Sequence, residues 1–306
     1  MNFDSRLLSE AAANLRTQRA NAARDARISL EPNLRRGTRL SEIDVMLYGE
    51  FIRGLETSPG APLSKRALSL IDERDALGID ITPHVTCADC KDTLFINGKP
   101  CACLTNAYKD ALREKIGRVL DIDGMSFGNF DIAIFSDGTD PDHGISRRAN
   151  MEMHLETCRK YACNFGKTPS SLILNGGVGT GKTFLSACIA GEVAQRGFWT
   201  VYAPAQEMFS VLEAHKFDRE GSDARAAEAH TACDLLIIDD LGTEFLTPLT
   251  QSFLYTIVNT RQSKSTIINT NLTMDDFCER YAPQTVSRIM GGYELLFFFG
   301  QDLRGR

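Results

Sequence analysis

An α/β fold built on a parallel sheet with helices on both faces is what this 306-residue sequence predicts, and three observations predict it. Beyond residue 149, short apolar segments alternate with helix-patterned ones, as strands buried on both sides do. Between the first such segment, SLILN, and the helix-like FLSACIAGEVAQ lies the glycine-rich stretch GGVGTGKT. A further apolar run, LLIIDD, ends in paired carboxylates, the arrangement expected of a central strand whose C-terminal tip faces a charged ligand.

Composition supports a folded chain. Hydrophobic residues at 43% and charged residues at 24% exclude a disordered, collagenous or low-complexity polypeptide. No apolar run of about 18 residues occurs, and the N-terminus has neither an apolar core segment nor a small-residue cleavage site, so a cytoplasmic protein is expected. Net charge is −6, unevenly spread, because the first 40 residues hold eight Lys/Arg against four Asp/Glu. A basic footprint for duplex DNA is therefore missing. The basic N-terminal stretch reads as a solvated helix face, with a local nucleic-acid contact as the alternative.

Residues 3–30 carry Leu7, Leu8, Ala11, Leu15 and Ala22 at a helical period, predicting one long helix. Pro32 and Gly37 punctuate it. A second amphipathic helix follows Ser41, with Ile43, Met46, Leu47 and Phe51 as its stripe, until SPGAPLSK breaks the pattern. A third helix spans about Ser64–Leu77 and a fourth Thr105–Leu120. The polar, turn-rich stretch 136–148 marks a domain boundary. After it, Met151, Leu155, Cys158, Ala162 and Phe165 outline a helix. Then come the strand SLILN, a helix over Lys182–Gln195, the strand WTVYA, a helix near Ala205–Ala214, the strand DLLIIDD, a helix near Thr250–Gln262 and the strand STIINT. The resulting organisation is a helical partner-binding region (1–80), a cysteine-rich module (81–135), a linker (136–148) and a nucleotide-binding domain (149–306).

Gly176, Gly177, Val178, Gly179, Thr180, Gly181, Lys182 and Thr183 satisfy G-x-x-x-x-G-K-[ST] in strand–loop–helix context. A polyphosphate needs several N–H groups turned inward at a helix N-terminus, and glycines let the chain curl that tightly. Lys182 would reach the β and γ phosphates and the Thr183 hydroxyl would ligate Mg²⁺. Of the paired carboxylates, Asp239 is assigned to the metal and Asp240 to the attacking water. The end of STIINTNLT carries Asn271, an amide able to hold that water, with Asn269 as the less favoured alternative. An intervening strand with such a polar tip fits an AAA+ sheet better than a kinase or small-GTPase one.

Nine cysteines are an odd number, and Cys87, Cys90, Cys101 and Cys103 crowd into 17 positions. Two short chelating pairs flank KDTLFINGKP, whose Asn97-Gly98 is a strong hairpin signal. Four thiolates so spaced suit a closed, structural Zn²⁺ site in a reducing compartment. Because C-x-C is tighter than C-x2-C, His84 or a water could stand in for one cysteine.

Together GGVGTGKT, LLIIDDLG, TNLT, TVSRIMGG and FFFGQDLRGR resemble the DnaC/DnaI-type bacterial or phage helicase loaders, a branch of the AAA+ initiator clade that also includes the IstB-type transposition ATPases; the likeness runs from about residue 84 to 306. The resemblance implies an AAA+ P-loop NTPase using ATP and Mg²⁺, with single-stranded DNA and the replicative helicase as partners. It implies an arginine finger at Arg288, within Ser287-Arg288-Ile289, and hence self-association. A second arginine is implied at Arg304, with Arg306 able to substitute. Only 18 residues follow Arg288, so a separate C-terminal lid is not expected, as in such loaders. In this clade the stretch Pro204–Cys233 adds a helical element facing single-stranded DNA, where Lys216, Phe217, Arg219 and Arg225 are available; an ordinary solvated loop is the other reading. The segment CADCKDTLFINGKPCAC looks like the zinc module of DnaI-type loaders, which IstB-type proteins generally lack. Many AAA+ enzymes carry Asp-Glu in place of Asp239-Asp240, which implies slow hydrolysis here. The expected function is thus an ATP-dependent helicase loader acting in DNA replication initiation. Its rivals are an IstB-like transposition regulator and a nucleotide-gated adaptor with little hydrolysis.

Overall fold

The computed structural model describes residues 3–34, 38–57, 63–76, 86–120, 124–217 and 224–303. The chain divides into two compact units, Leu8–Tyr108 and Lys109–Arg306 with Met1–Leu7.

Three N-terminal helices form as the apolar periods predict, α1 (Ser5–Leu34), α2 (Thr38–Thr57) and α3 (Lys65–Ala76), but α1 runs on through Pro32 and α2 begins before Ser41, which lies inside it instead of capping it. Ser64 caps α3 by accepting the Ala67 N–H at 3.0 Å, and Arg74 joins α3 to α2 through Asp44 at 2.8 Å. Ile43 and Ala67 are buried, whereas Phe51, expected on the apolar stripe of α2, is exposed. The cysteine-rich segment then forms the hairpin β1 (Phe95–Ile96) and β2 (Lys99–Pro100), and α4 (Ala102–Gly117) follows. Asn97 and Gly98 both have positive φ, 51° and 75°, as the tight two-residue turn requires.

In the second unit a short 3-10 turn (Ile132–Ile134) precedes α5 (Arg147–Asn164), whose N-terminus is capped by Ser146. There follow β3 (Ser171–Gly176), α6 (Lys182–Gln195), β4 (Thr200–Pro204), α7 (Ala205–Lys216), α8 (Ala224–Ala232), β5 (Leu235–Leu241), α9 (Pro248–Thr260), β6 (Ser265–Thr270), α10 (Met274–Arg280), α11 (Pro283–Gly292) and β7 (Tyr293–Phe298). The sheet order is β4-β5-β6-β3-β7, every pairing parallel. The strand of the phosphate loop is thus separated from the strand of the paired carboxylates by β6, as an AAA+ sheet requires. Strand alternation sorts the core: Ile173, Ala203, Leu236, Ile238 and Ile268 face a cluster supplied by α7, α9, α10 and α11, while α6 packs against β3, β4, β5 and β6.

The sequence pattern did not mark β7, α10 or α11, whereas α8 lies in the stretch Pro204–Cys233 where the resemblance implies an added helical element. Six residues of β7 follow α11 directly with no turn residue between, and a short apolar run of that kind carries no period to separate strand from helix.

Candidate functional site

The C-terminal tips of β3, β5 and β6 converge on the N-terminus of α6. Gly176, at the end of β3, has φ 149°, and a Cβ there would run into the Phe298 carbonyl of β7, so only glycine permits the strand to leave the sheet at this point. Gly181 caps α6 in the left-handed region, φ 102°, so that the first amides of the helix open toward the bend. Lys182 is 5% exposed; its Nζ donates to the Gly176 and Gly177 carbonyls, each at 2.6 Å. The ammonium is thereby held at the mouth of a loop whose amides would receive a polyphosphate.

Across from the loop, Asp239 is 7% exposed and accepts four donors. Tyr202 Oη lies 2.6 Å from Oδ2 and Asn269 Nδ2 2.7 Å from Oδ1. The Asp240 amide lies 3.1 Å from Oδ1, and Thr183 Oγ1 straddles both oxygens at 3.3 and 3.4 Å. Thr183 and Asp239 are therefore face to face, a hard-oxygen pair of the kind that holds Mg²⁺ beside a phosphate. Burial and the neighbouring carboxylate of Asp239 push the Tyr202 phenol well above its ordinary value, so it serves as a donor throughout the physiological range.

Asp240 is exposed and left-handed, φ 53°, at a register irregularity between Ile238 and Leu241. That conformation turns its carboxylate out of the strand, where Asn271 Nδ2 meets Oδ1 at 3.2 Å. Asn271 lies just past β6 on the same side as Asn269, which is fully buried against Asp239 and Ser186. Beyond Asp240 the chain is anchored by Glu244, 4% exposed, which accepts from the Gly242 amide at 2.7 Å and the Tyr281 hydroxyl at 2.6 Å. Tyr202, Ser186, Asn269 in this contact, and Glu244 were not singled out as site residues from the sequence. A tyrosine and an asparagine inside otherwise apolar strands were the available signals.

Arg288, on α11, does not point into this constellation. Its Nε donates to Asn259 at 3.0 Å and its guanidinium lies over Tyr255, 4.8 Å from the ring centre. The C-terminal segment, by contrast, reaches the phosphate loop: the Leu303 N–H donates to the Gly179 carbonyl at 3.2 Å, and a Cβ on Gly179 would collide with Asp302. Phe299, Gly300 and Gln301 line a small cleft with Phe135, Arg147 and Thr180. Arg304 and Arg306 lie outside the described residues, as do Arg219 and His84. Of the other residues named for single-stranded DNA, Phe217 is 56% exposed and Lys216 lies over the Phe253 ring.

The four cysteines form a second constellation. All four sulfurs lie within 4.8 Å of one another, with Cys87–Cys101 at 3.8 Å and Cys90–Cys103 at 3.6 Å. Tetrahedral Zn–S bonds of about 2.3 Å place sulfurs about 3.8 Å apart, so the thiols fit Zn²⁺ without His84. The first pair is drawn in by Asp92, which accepts the Thr86 and Cys87 amides at 3.0 Å each and pairs with Arg19 at 3.2 Å. Cys101 immediately precedes α4 and Cys103 lies in its first turn, at the positive end of a helix, yet both thiols are held above the ordinary value. Burial pushes Cys103 up to about 12. At Cys90 burial acts in the same direction, but the Leu94 amide and the neighbouring thiols outweigh it and bring that thiol down to about 7.

Residues 152–290 match the family of IstB-like ATP binding proteins. The replicative helicase loader DnaC of Escherichia coli strain K12 is 25% identical over 150 residues, covering 48% of this chain and 61% of that protein. The alignment thus spans less than two thirds of the loader's own length. Among solved structures, the DnaC helicase loader is 21% identical with a TM-score of 0.49, covering 59% of this chain and 99% of that one. DnaI is 19% identical with a TM-score of 0.47, covering 60% and 93%. The family match and the curated relatives agree with the resemblance that the motifs carry, to the DnaC-type AAA+ loaders and the related IstB-like ATPases.

Proposed function

We propose that this chain is an ATP-dependent loader of the replicative DNA helicase, acting in DNA replication initiation. The observation that carries the reading is the meeting of Lys182, Thr183 and Asp239 at the tips of β3, β5 and α6, in a chain whose relatives include a helicase loader. In this reading the amides of 176–181 and the Lys182 ammonium receive the triphosphate. Thr183 and Asp239 hold Mg²⁺, which supplies charge neutralisation at the phosphates. Asp240 and Asn271, already paired, orient the attacking water. Asp240 reaches less far than a glutamate would, so turnover is slow.

Arg288 faces outward on α11, consistent with service to the site of a neighbouring copy, where a guanidinium stabilises charge developing on the γ-phosphate. Arg304 follows directly on the segment that touches Gly179 and is proposed as a second phosphate contact. Cys87, Cys90, Cys101 and Cys103 would hold a structural Zn²⁺ as thiolates in the N-terminal unit, and the N-terminal helices with this module would bind the helicase. Lys216, Phe217 and Arg225 offer charge and an exposed ring to single-stranded DNA.

The IstB-like match favours one rival, an ATPase directing a transposase on duplex DNA. Pull-down with the full chain as bait separates them. Recovery of a hexameric helicase, altered by replacing ATP with ADP, supports the loader; recovery of a transposase without helicase overturns it.

A further inference from the structure

Asp239 is held by more than a metal ligand needs. Tyr202 from β4 and Asn269 from β6 each commit a short hydrogen bond to a different carboxylate oxygen, 2.6 Å to Oδ2 and 2.7 Å to Oδ1. Asn269 also donates to Ser186 Oγ at 2.8 Å, and Ser186 in turn donates to the Thr183 carbonyl at 3.1 Å. The Ser186 and Tyr202 hydroxyls are 3.4 Å apart. Tyr202, Ser186 and Asn269 are at most 5% exposed. These contacts tie four elements, β4, β5, β6 and the start of α6, around one carboxylate.

One feature of these contacts works against stability. Asn269 Oδ1 is buried and has no hydrogen-bond partner among the described residues. Turning the amide would bring that oxygen against the Asp239 carboxylate and remove the donor at 2.7 Å. The amide is therefore used as a pure donor, and its orphaned oxygen is a cost of about 1–3 kcal/mol in general. Such a cost is retained where geometry rather than stability is being served.

We infer that Tyr202 and Asn269 are positioning residues that set Asp239 for the cation. Tyr202 binds Oδ2 and Asn269 binds Oδ1 at 2.6 and 2.7 Å, while the Thr183 hydroxyl stays farther off, at 3.3 and 3.4 Å. Without the two donors Asp239 could rotate and draw closer to Thr183, closing the gap a cation must enter. Groups that orient a ligating side chain in this way change metal affinity by about 10–100-fold when removed.

This inference rests on the nucleotide reading above, and the test keeps the two apart. A fluorescent ATP analogue is titrated into the full-length protein with EDTA and with increasing Mg²⁺. The native chain is expected to bind in both, more tightly with Mg²⁺. Tyr202→Phe and Asn269→Ala, each checked for a native circular dichroism spectrum, are expected to keep the EDTA affinity and to need about tenfold more Mg²⁺ for half of the tightening. If both variants respond to Mg²⁺ as the native chain does, or if they lose affinity equally in EDTA, the positioning role is wrong. If the native chain itself binds no analogue, the nucleotide reading fails instead.

Discussion

Replacing Lys182 by alanine removes one ammonium that is 5% exposed and bonded to two loop carbonyls at 2.6 Å. A unit charge about 4 Å from a phosphate, at the effective dielectric of a partly buried site, contributes about 4 kcal/mol. Two carbonyl bonds of about 1 kcal/mol net each are given up when the phosphate arrives. The difference, about 2 kcal/mol, corresponds to about a 30-fold loss of ATP affinity. At ATP equal to about 100 times the native dissociation constant, linkage stabilises the native chain by about 2.7 kcal/mol and the variant by about 0.9 kcal/mol. For a domain of this size that becomes an ATP-induced rise in melting temperature of about 5–10 °C against about 2–3 °C. Thermal unfolding with and without Mg-ATP, supported by calorimetric titration, measures both. An equal ATP-induced shift in the two proteins would refute the placement of the triphosphate at this loop.

Three more expectations follow from the same geometry. Mixing Arg288→Ala with Asp239→Asn chains should restore ATPase activity above the sum of the two alone if sites are shared between copies; additive behaviour in a titration of one variant against the other argues for monomeric action. Purified protein should carry one zinc per chain by metal analysis, and the double change Cys101→Ser, Cys103→Ser should lose it together with the melting transition of the N-terminal unit; full metal content in that variant would discard the site. His154 donates from Nε2 to the Phe297 carbonyl at 2.8 Å, and burial pushes its imidazole below the ordinary value. Because the unfolded chain takes up the proton first, stability should be full above about pH 6.5 and fall as the pH drops below it. His154→Gln should flatten that slope in melting curves, and an unchanged slope would count against the assignment.

The chemistry-bearing positions were legible because each is tied to a local constraint. Gly181, Lys182 and Thr183 must be adjacent for a strand–loop–helix bend to present amides, a cation and a hydroxyl together, so their identity survives in a run of eight letters. The hairpin at Asn97-Gly98 was readable for the same reason, since positive φ at two successive residues restricts the residues allowed. Asn269 shows where this stops: strand alternation puts it in phase with Asn271, but whether either amide meets Asp239 or Asp240 depends on β6 lying beside β5.

What the amino-acid order determined by itself was the set of local devices: the phosphate loop, the carboxylate-tipped strand and the two cysteine pairs, because backbone conformation and metal-ligand spacing are short-range requirements. What only the tertiary structure decided was which distant groups share them. Tyr202 reaches Asp239 across 37 residues and Asn269 across 30, Glu244 is gripped by Tyr281, and buried Arg261 joins the starts of β5 and β6 through the Cys233 and Ser265 carbonyls. Such contacts follow from sheet order, which is set by packing whole elements together, and that packing leaves no short-range trace in the chain.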